Sequence, residues 1–137
     1  MSTRARMARL VVPLVVVGLV SGACGSKGSS AANRPTTAAR LEILSPAPNA
    51  VTGPDLTIQL ALTGGTIVQA ATGPLRGDEG HIHVSVDGKL ISMAYGTTQD
   101  LHGLTPGPHS MQAEYVATDH APFKNRVVAG VLFTVQP

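Results

Sequence analysis

The distribution of apolar and polar residues divides this chain into three parts. An apolar stretch at residues 10–20 precedes a second stretch, residues 25–40, that contains no bulky apolar side chain apart from proline. From residue 41 onward, short segments alternate apolar and polar positions and are separated by glycine and proline. Such alternation is typical of β-strands that bury one face. The pattern therefore predicts a leader, a linker and a single β domain.

Seven short strands are predicted in the third part. Residues 56–62 show the clearest alternation, with leucine or isoleucine at every second position. Between residues 81 and 95, Asp87-Gly88 joins two alternating segments, and Asp-Gly supplies the positive φ angles that a two-residue hairpin turn needs. The other predicted strands are residues 41–44, 66–70, 109–118 and 128–135. Since no segment has the 3.6-residue apolar period of a helix, this spacing predicts an all-β fold, an antiparallel β-sandwich of about seven strands.

The leader has the layout of a secretory signal peptide. Three arginines at residues 4–9 precede the apolar stretch, and small residues then lead to Cys24, the only cysteine. The apolar stretch is shorter than the roughly 20 residues that span a bilayer. This segment resembles the lipobox signal of bacterial lipoproteins, in which the cysteine is lipidated and becomes the first mature residue. The alternative is an ordinary signal peptide cut near Ala23, which leaves Cys24 as a free thiol.

The resemblance implies a protein held by its lipidated Cys24 at the extracytoplasmic face of a cell membrane. Residues 1–23 are then the cleaved signal peptide, 24–40 a flexible tether and 41–137 the folded domain. Loss of the leader removes three of the ten basic residues and leaves seven against eight acidic ones. This balance does not favour nucleic acid as a partner. With Cys24 acylated, a disulfide and a thiolate metal site are both excluded.

Short motifs in the domain resemble two groups of bacterial proteins. Ser45-Pro46 and Leu104-Thr105-Pro106-Gly107 look like segments of bacterial immunoglobulin-like domains. The segments at residues 80–87, 106–109 and 119–122 together resemble a small family of secreted domains of unknown function, whose central hairpin opens with Gly-His-x-His. These likenesses cover residues 41–135 and imply an immunoglobulin-like β-sandwich. They carry over no activity, because the second family has no settled function.

His81 and His83 are the main candidates for chemistry. Positions i and i+2 of a strand share a face, so both imidazoles are expected to point the same way. Two imidazoles on one face can ligate copper or zinc. The opposite face carries Ile82 and Val84 and is expected to line the core, which places the histidines on the outer face. The alternative is that these histidines hydrogen-bond loop backbone and stabilise the sandwich.

A metal site would need a third ligand from another part of the chain. Asp119 and His120 are the favoured candidates, because the resembled pattern carries an acid and an imidazole there. His109 and His102 are the alternatives. The ion would be copper or zinc, and the sequence does not decide between them.

The hairpin turn predicts how the second strand faces the histidines. A regular ladder counted back from the turn pairs His83 with Ser92 and Ile82 with Met93. Met93 is then expected on the core face. That register removes a copper(I) site built from histidine and methionine.

Other functional side chains are few. The chain has two phenylalanines, two tyrosines and no tryptophan, so exposed stacking platforms are scarce. Tyr115 and Phe133 alternate with other apolar residues and are expected in the core. Phe123 is expected in a loop, as an exposed anchor for a partner or as a cap on one end of the sandwich. No serine lies in a nucleophile-elbow pattern, so the chain is not predicted to be an enzyme.

These observations predict a membrane-anchored, non-catalytic binding or interaction module that contacts another protein or a component of the cell envelope. The alternative function is copper or zinc binding, or metal handling, by a lipoprotein that uses the histidine cluster. The oligomeric state is left open by the sequence.

Overall fold

Alternating apolar residues form β-strands throughout the computed structural model, which describes residues 33–69 and 73–137. Nine strands occur in these ranges. Their bounds are β1 Arg40–Ser45, β2 Val51–Thr52, β3 Leu56–Thr63, β4 Thr66–Ile67, β5 Glu79–Val86, β6 Lys89–Ala94, β7 Thr98–Leu101, β8 Gly107–Ala117 and β9 Pro122–Val135. The predicted leader and the predicted lipidation site at Cys24 lie outside the described residues. No helix within these ranges is long and apolar enough to cross a membrane.

The strands form two sheets packed as a sandwich. The smaller sheet has the order β1-β3-β7, and the larger has the order β2-β9-β8-β5-β4, with β6 also pairing with β5. The principal pairs are antiparallel, whereas β2 with β9 and β4 with β5 form parallel pairs of two residues each. The predicted sandwich of short strands is confirmed. The sequence pattern did not predict β2 or β7, and β9 begins at Pro122, six residues before the predicted start.

The core lies between the sheets and is formed by alternate residues of the long strands. On β3, Ile58 and Leu60 are buried, and on β5 the predicted core residues Ile82, Val84 and Val86 are buried. The remaining buried members include Leu41, Leu101, Met111, Ala113, Val131, Phe133 and Val135. The apolar face of β5 thereby fixes the direction of its other face, which carries the histidines.

Tyr115 is fully buried in this core. Its hydroxyl donates to the carbonyl oxygens of Thr66 at 2.8 Å and Asp78 at 3.2 Å. These bonds tie β8 to β4 and to the loop before β5. A hydroxyl buried with partners avoids the cost of an unsatisfied polar group.

Phe123 stacks on Tyr115 and is not an exposed anchor. The two ring centroids are 5.2 Å apart with an interplanar angle of 24°, and Phe123 is 2% exposed. The expectation of an exposed Phe123 is therefore wrong. Its loop assignment failed because β9 starts at Pro122, which places Phe123 on a strand where it faces the core.

The hairpin turn forms as predicted, but the ladder beyond it does not. Asp87 and Gly88 have φ angles of 51° and 78°, which suit the two-residue turn. Ser85 pairs with Leu90, but the residue before it, Val84, pairs with Ser92, so Ile91 is an extra residue in β6. Beyond this β-bulge the register is shifted by one position. A one-residue shift moves each following side chain of β6 to the other face.

Part of the predicted tether packs on the domain. The backbone N–H of Thr37 donates to Asn125 Oδ1 at 2.9 Å, and Asn125 Nδ2 donates to the Thr37 carbonyl at 2.7 Å. The N–H of Lys124 donates to the carbonyl of Pro35 at 3.0 Å. Thr37 and Ala39 are each 8% exposed. The packed region therefore extends to the N-terminal side of the predicted boundary at residue 41.

Candidate metal site

Strand β5 supplies two histidines to the outer face of the larger sheet. His81 and His83 alternate with buried Ile82, so their side chains lie on the face opposite the core. His81 pairs with Val116 near the end of β8, so the turn between β8 and β9 lies directly beside it. His81 is 1% exposed although it lies outside the core, and His83 is half-buried.

The β8–β9 turn brings a third histidine over the first two. The N–H of His120 donates to the carbonyl of Ala117 at 2.9 Å, and the N–H of Ala117 donates to that of Ala121 at 3.1 Å. His120 has a φ of 63°, in the left-handed region that non-glycine residues seldom occupy. Strain of this kind is common at functional sites and persists only where surrounding contacts hold it.

Three ring nitrogens meet in a small triangle. His81 Nε2 lies 3.1 Å from His83 Nε2 and 3.0 Å from His120 Nδ1, and the last two nitrogens are 3.4 Å apart. A neutral imidazole nitrogen is either a donor or an acceptor. Three mutual contacts among neutral rings therefore cannot all join a donor to an acceptor. A metal ion removes this conflict, because it accepts a lone pair from each nitrogen.

The triangle has the size that a transition-metal ion requires. A triangle with these sides has a circumscribed radius of about 1.8 Å, so a point about 2 Å from all three nitrogens lies roughly 1 Å out of their plane. Zinc–nitrogen bonds are about 2.0–2.1 Å long, and an ion above a plane of three ligands has a fourth position free. The geometry therefore fits one copper or zinc ion with three protein ligands.

Burial keeps two of these imidazoles uncharged. Loss of solvent, reinforced by charge repulsion from His120 and His83, lowers the pKa of His81 to about 4. Burial and His120 also lower the pKa of His83, while Glu114 opposes that shift. A metal ligand must be the neutral imidazole. Both rings thus have the protonation state that ligation needs at neutral pH.

The structure separates the predicted ligands into two groups. His81, His83 and His120 come together as one group able to hold an ion. Asp119 is not a member of this group, since both of its carboxylate oxygens accept from the guanidinium of Arg34 at 2.9 Å.

The two alternative histidines also lie elsewhere. His109 contacts Asp87 Oδ2 at 2.7 Å, and the exposed His102 lies 3.4 Å from Asp55.

Two residues beside the histidines were missed by the sequence pattern. The ring of Tyr95 lies 5.3 Å from that of His81. Met93 pairs with His83 and is 49% exposed, so it lies on the histidine face and its predicted core position is wrong. The sequence signal for this arrangement was the i, i+2 spacing of Met93 and Tyr95, which puts both side chains on one face of the strand. That face is the histidine face once Ile91 is recognised as a bulge.

Carboxylates near the site are engaged by arginines. Glu114 pairs with His83 from the β8 side, and its two oxygens accept from Arg126 at 2.7 Å each. Glu79, two residues before His81, lies 3.1 Å from Arg76.

No protein-family model matches the chain, and no curated protein matches it. Among solved structures, it is similar to the fibronectin(III)-like modules of Clostridium thermocellum CbhA, with a TM-score of 0.50 and 19% identity over 69% of this chain and 93% of that one. A PKD domain from human KIAA0319 gives a TM-score of 0.47 with 15% identity, covering 82% and 93% of the two chains. A CARDB domain from Pyrococcus furiosus gives 0.44 with 16% identity, covering 74% and 96%. The fold is thus an immunoglobulin-like β-sandwich, as expected from the sequence.

Proposed function

We propose that this chain is a metal-binding lipoprotein whose immunoglobulin-like domain holds one copper or zinc ion. The ligands are His81 Nε2, His83 Nε2 and His120 Nδ1. The observation that carries this proposal is the triangle of ring nitrogens, with sides of 3.0 to 3.4 Å. Of the two functions that the sequence predicts, this geometry favours the second.

The site is supported by rigid elements. His81 and His83 lie on a strand that is paired on both sides, by β8 and β6. His120 lies in a turn closed by two backbone hydrogen bonds. Ligands held by a folded scaffold lose little conformational freedom when they bind an ion.

Metal binding without catalysis is the role proposed. A hydrolytic site needs a base beside the metal-bound water. The carboxylates that flank the histidines in the described residues are each in contact with an arginine: Glu79, Glu114 and Asp119. We therefore assign the ion to storage, sensing or transfer, as part of a binding protein.

A metal titration tests the site. The purified protein, titrated with Zn²⁺ and with Cu²⁺ against a competing chelator, is expected to bind one ion per chain. His83→Ala and His120→Asn are each expected to lower the affinity by about tenfold or more. Asn is chosen at position 120 because it tolerates a positive φ. His102→Ala removes an exposed histidine outside the site and is expected to change nothing. Equal binding by the wild type and the His83/His120 double variant would refute the proposed function.

The lipid anchor is a separate part of the proposal. The leader and the position of Cys24 support it, and residues 34–40 lead from that anchor into β1. The mature protein is expected in the membrane fraction with an acylated N-terminal cysteine, and Cys24→Ser is expected to release it. Recovery of the chain from cytosol with the leader intact and no acyl group would contradict the anchor while leaving the metal site open to test.

An interaction module is the second candidate. Val128 and Leu132 are 45% and 63% exposed on the outer face of β9, and Gly130 lies between them. Two exposed apolar side chains on one face of the same strand favour contact with another surface. Two results together would support this function over the first. The protein would bind no metal, and it would capture a partner from membranes that Leu132→Ser does not capture.

A further inference from the structure

The bulge at Ile91 places a thioether beside the histidines. Val84 pairs with Ser92 and His83 pairs with Met93, so Met93 shares the outer face of the sheet with His83. Directly paired residues have Cβ atoms about 4.5–5.5 Å apart. Met93 is 49% exposed, so no core contact fixes its side chain. A bulge next to a site commonly serves to re-aim a side chain in this way.

Three side chains on or just after the neighbouring strands face the histidines and are candidates for a fourth ligand. Two of them are already in contact with other residues. Glu114, on the β8 side of His83, accepts hydrogen bonds from Arg126 at both of its carboxylate oxygens. The ring of Tyr95 packs against His81 at 5.3 Å. Met93 has an unbranched, flexible side chain that ends in a soft sulfur donor and can swing across the face of the sheet.

We propose that Met93 is the fourth ligand and that the ion is copper(I). This inference rests on the proposed three-histidine site. Soft thioether ligands favour Cu(I) over Zn²⁺, whereas imidazole alone accepts both. The Sδ of Met93 would complete a four-coordinate site and raise the affinity for Cu(I) specifically. Zn²⁺ would bind the histidines with water in the fourth position.

Replacement of Met93 by leucine separates the two metals. The substitution keeps nearly the same volume at a half-exposed position, so the fold is expected to remain intact. Affinities are measured anaerobically, with ascorbate-reduced Cu(I) against a colorimetric chelator and with Zn²⁺ against a fluorescent one. Met93→Leu is expected to weaken Cu(I) binding by about tenfold or more and to change Zn²⁺ binding by less than about twofold.

Two matched controls keep the assignment specific. Leu90→Ala truncates another exposed residue of β6 that carries no donor atom, and Tyr95→Phe keeps the ring while it removes the hydroxyl. Both are expected to bind Cu(I) like the wild type. X-ray absorption of the Cu(I) form is expected to show one sulfur ligand that is lost in Met93→Leu.

The outcomes distinguish this inference from the proposed function. If the wild type binds Cu(I) and Met93→Leu binds it equally well, Met93 is not a ligand and the three-histidine site stands. If Met93→Leu weakens both metals alike, the preference for copper(I) is overturned. Absence of any metal binding by the folded wild type ends both proposals together.

Discussion

Arg34 and Asp119 form a two-pronged ion pair across 85 residues of sequence. The two Nη atoms of Arg34 each donate to one carboxylate oxygen of Asp119 at 2.9 Å. Arg34 also donates to the carbonyl oxygens of Ala121 at 2.7 Å and of Pro122. This one side chain thus holds the turn that carries His120 from both sides. The hydrogen bonds from Arg34 lower the pKa of Asp119. They also explain why this carboxylate binds an arginine and is not a ligand in the histidine site.

Removal of Arg34 is expected to weaken metal binding without removal of a ligand. Arg34→Ala leaves Asp119 and two carbonyl groups without their donor, at a cost of about 1–3 kcal/mol in the free energy of unfolding. The turn then holds His120 less firmly, and metal affinity is expected to fall by about tenfold, as for other residues that orient ligands. Denaturant unfolding and metal titration measure the two effects.

Arg76 provides the matched control for Arg34. It contacts Asp78 and Glu79 with 60% of its side chain exposed, so Arg76→Ala is expected to leave metal affinity unchanged. Arg34→Lys keeps the charge but loses the planar fork, and is expected to restore only part of the affinity. A wild-type affinity in folded Arg34→Ala would show that the turn needs no support from this residue.

Much of the fold is encoded locally and could be predicted. Leucine and isoleucine at alternate positions of β3, and Asp87-Gly88 at the hairpin turn, specify their structures over a few residues. By contrast, β2 has two residues, and its position depends on pairing with the end of β9. Residues 34–39 are held by backbone and polar contacts to distant residues, which their composition does not reveal.

The candidate site shows the same division. The alternation of His81 and His83 predicts a shared face, and His120 was among the expected partners. The outcome at Asp119 could not be predicted, because its partner Arg34 lies in a segment of low complexity. Met93 was assigned to the wrong face because a single extra residue reverses all side chains beyond it.

Gly80 should be indispensable to the strand that carries the histidines. A Cβ at this position would overlap the carbonyl oxygen of Val116 and lie 3.1 Å from the Tyr115 ring. Gly80→Ala must therefore push β5 away from β8, and we expect a loss of about 1–3 kcal/mol or more in unfolding free energy. Gly53→Ala is the control, because its added Cβ would meet nothing within 4 Å. Equal stability of the two variants would contradict the close approach of β5 and β8.

Phe123 is expected to behave as a core residue. Phe123→Ala removes a side chain that is 2% exposed and stacked on Tyr115, and should cost about 3–5 kcal/mol. Leu132→Ala truncates a residue that is 63% exposed and should change stability by less than about 0.5 kcal/mol. Both values come from denaturant unfolding. A loss of unfolding free energy in Phe123→Ala as small as that in Leu132→Ala would contradict the buried position and favour the exposed one that the sequence suggested.

The contribution of His109 to stability should fall as the pH rises through the pKa of this histidine. Its Nδ1 lies 2.7 Å from Asp87 Oδ2 and its Nε2 lies 2.6 Å from the carbonyl of Thr105, so both ring nitrogens face acceptors. These two contacts, the carbonyl first, raise the pKa of His109 above its ordinary value. The folded state then binds this proton more tightly than the unfolded state. The stabilisation is complete below the ordinary pKa of about 6.5 and is lost at higher pH.

The difference between metal-free wild type and metal-free Asp87→Asn, each unfolded by denaturant at several pH values above 6.5, isolates this effect. His81 and His83 have lowered pKa values, so they bind protons more tightly in the unfolded state and add a slope of the opposite sign. This slope is common to the wild type and Asp87→Asn and cancels in the difference. Asp87→Asn keeps the positive φ of the turn, because Asn-Gly also favours it, but removes the carboxylate. The wild type should therefore lose unfolding free energy relative to Asp87→Asn as the pH rises above 6.5. Parallel curves for the wild type and Asp87→Asn would show that the His109–Asp87 pair does not couple protonation to folding.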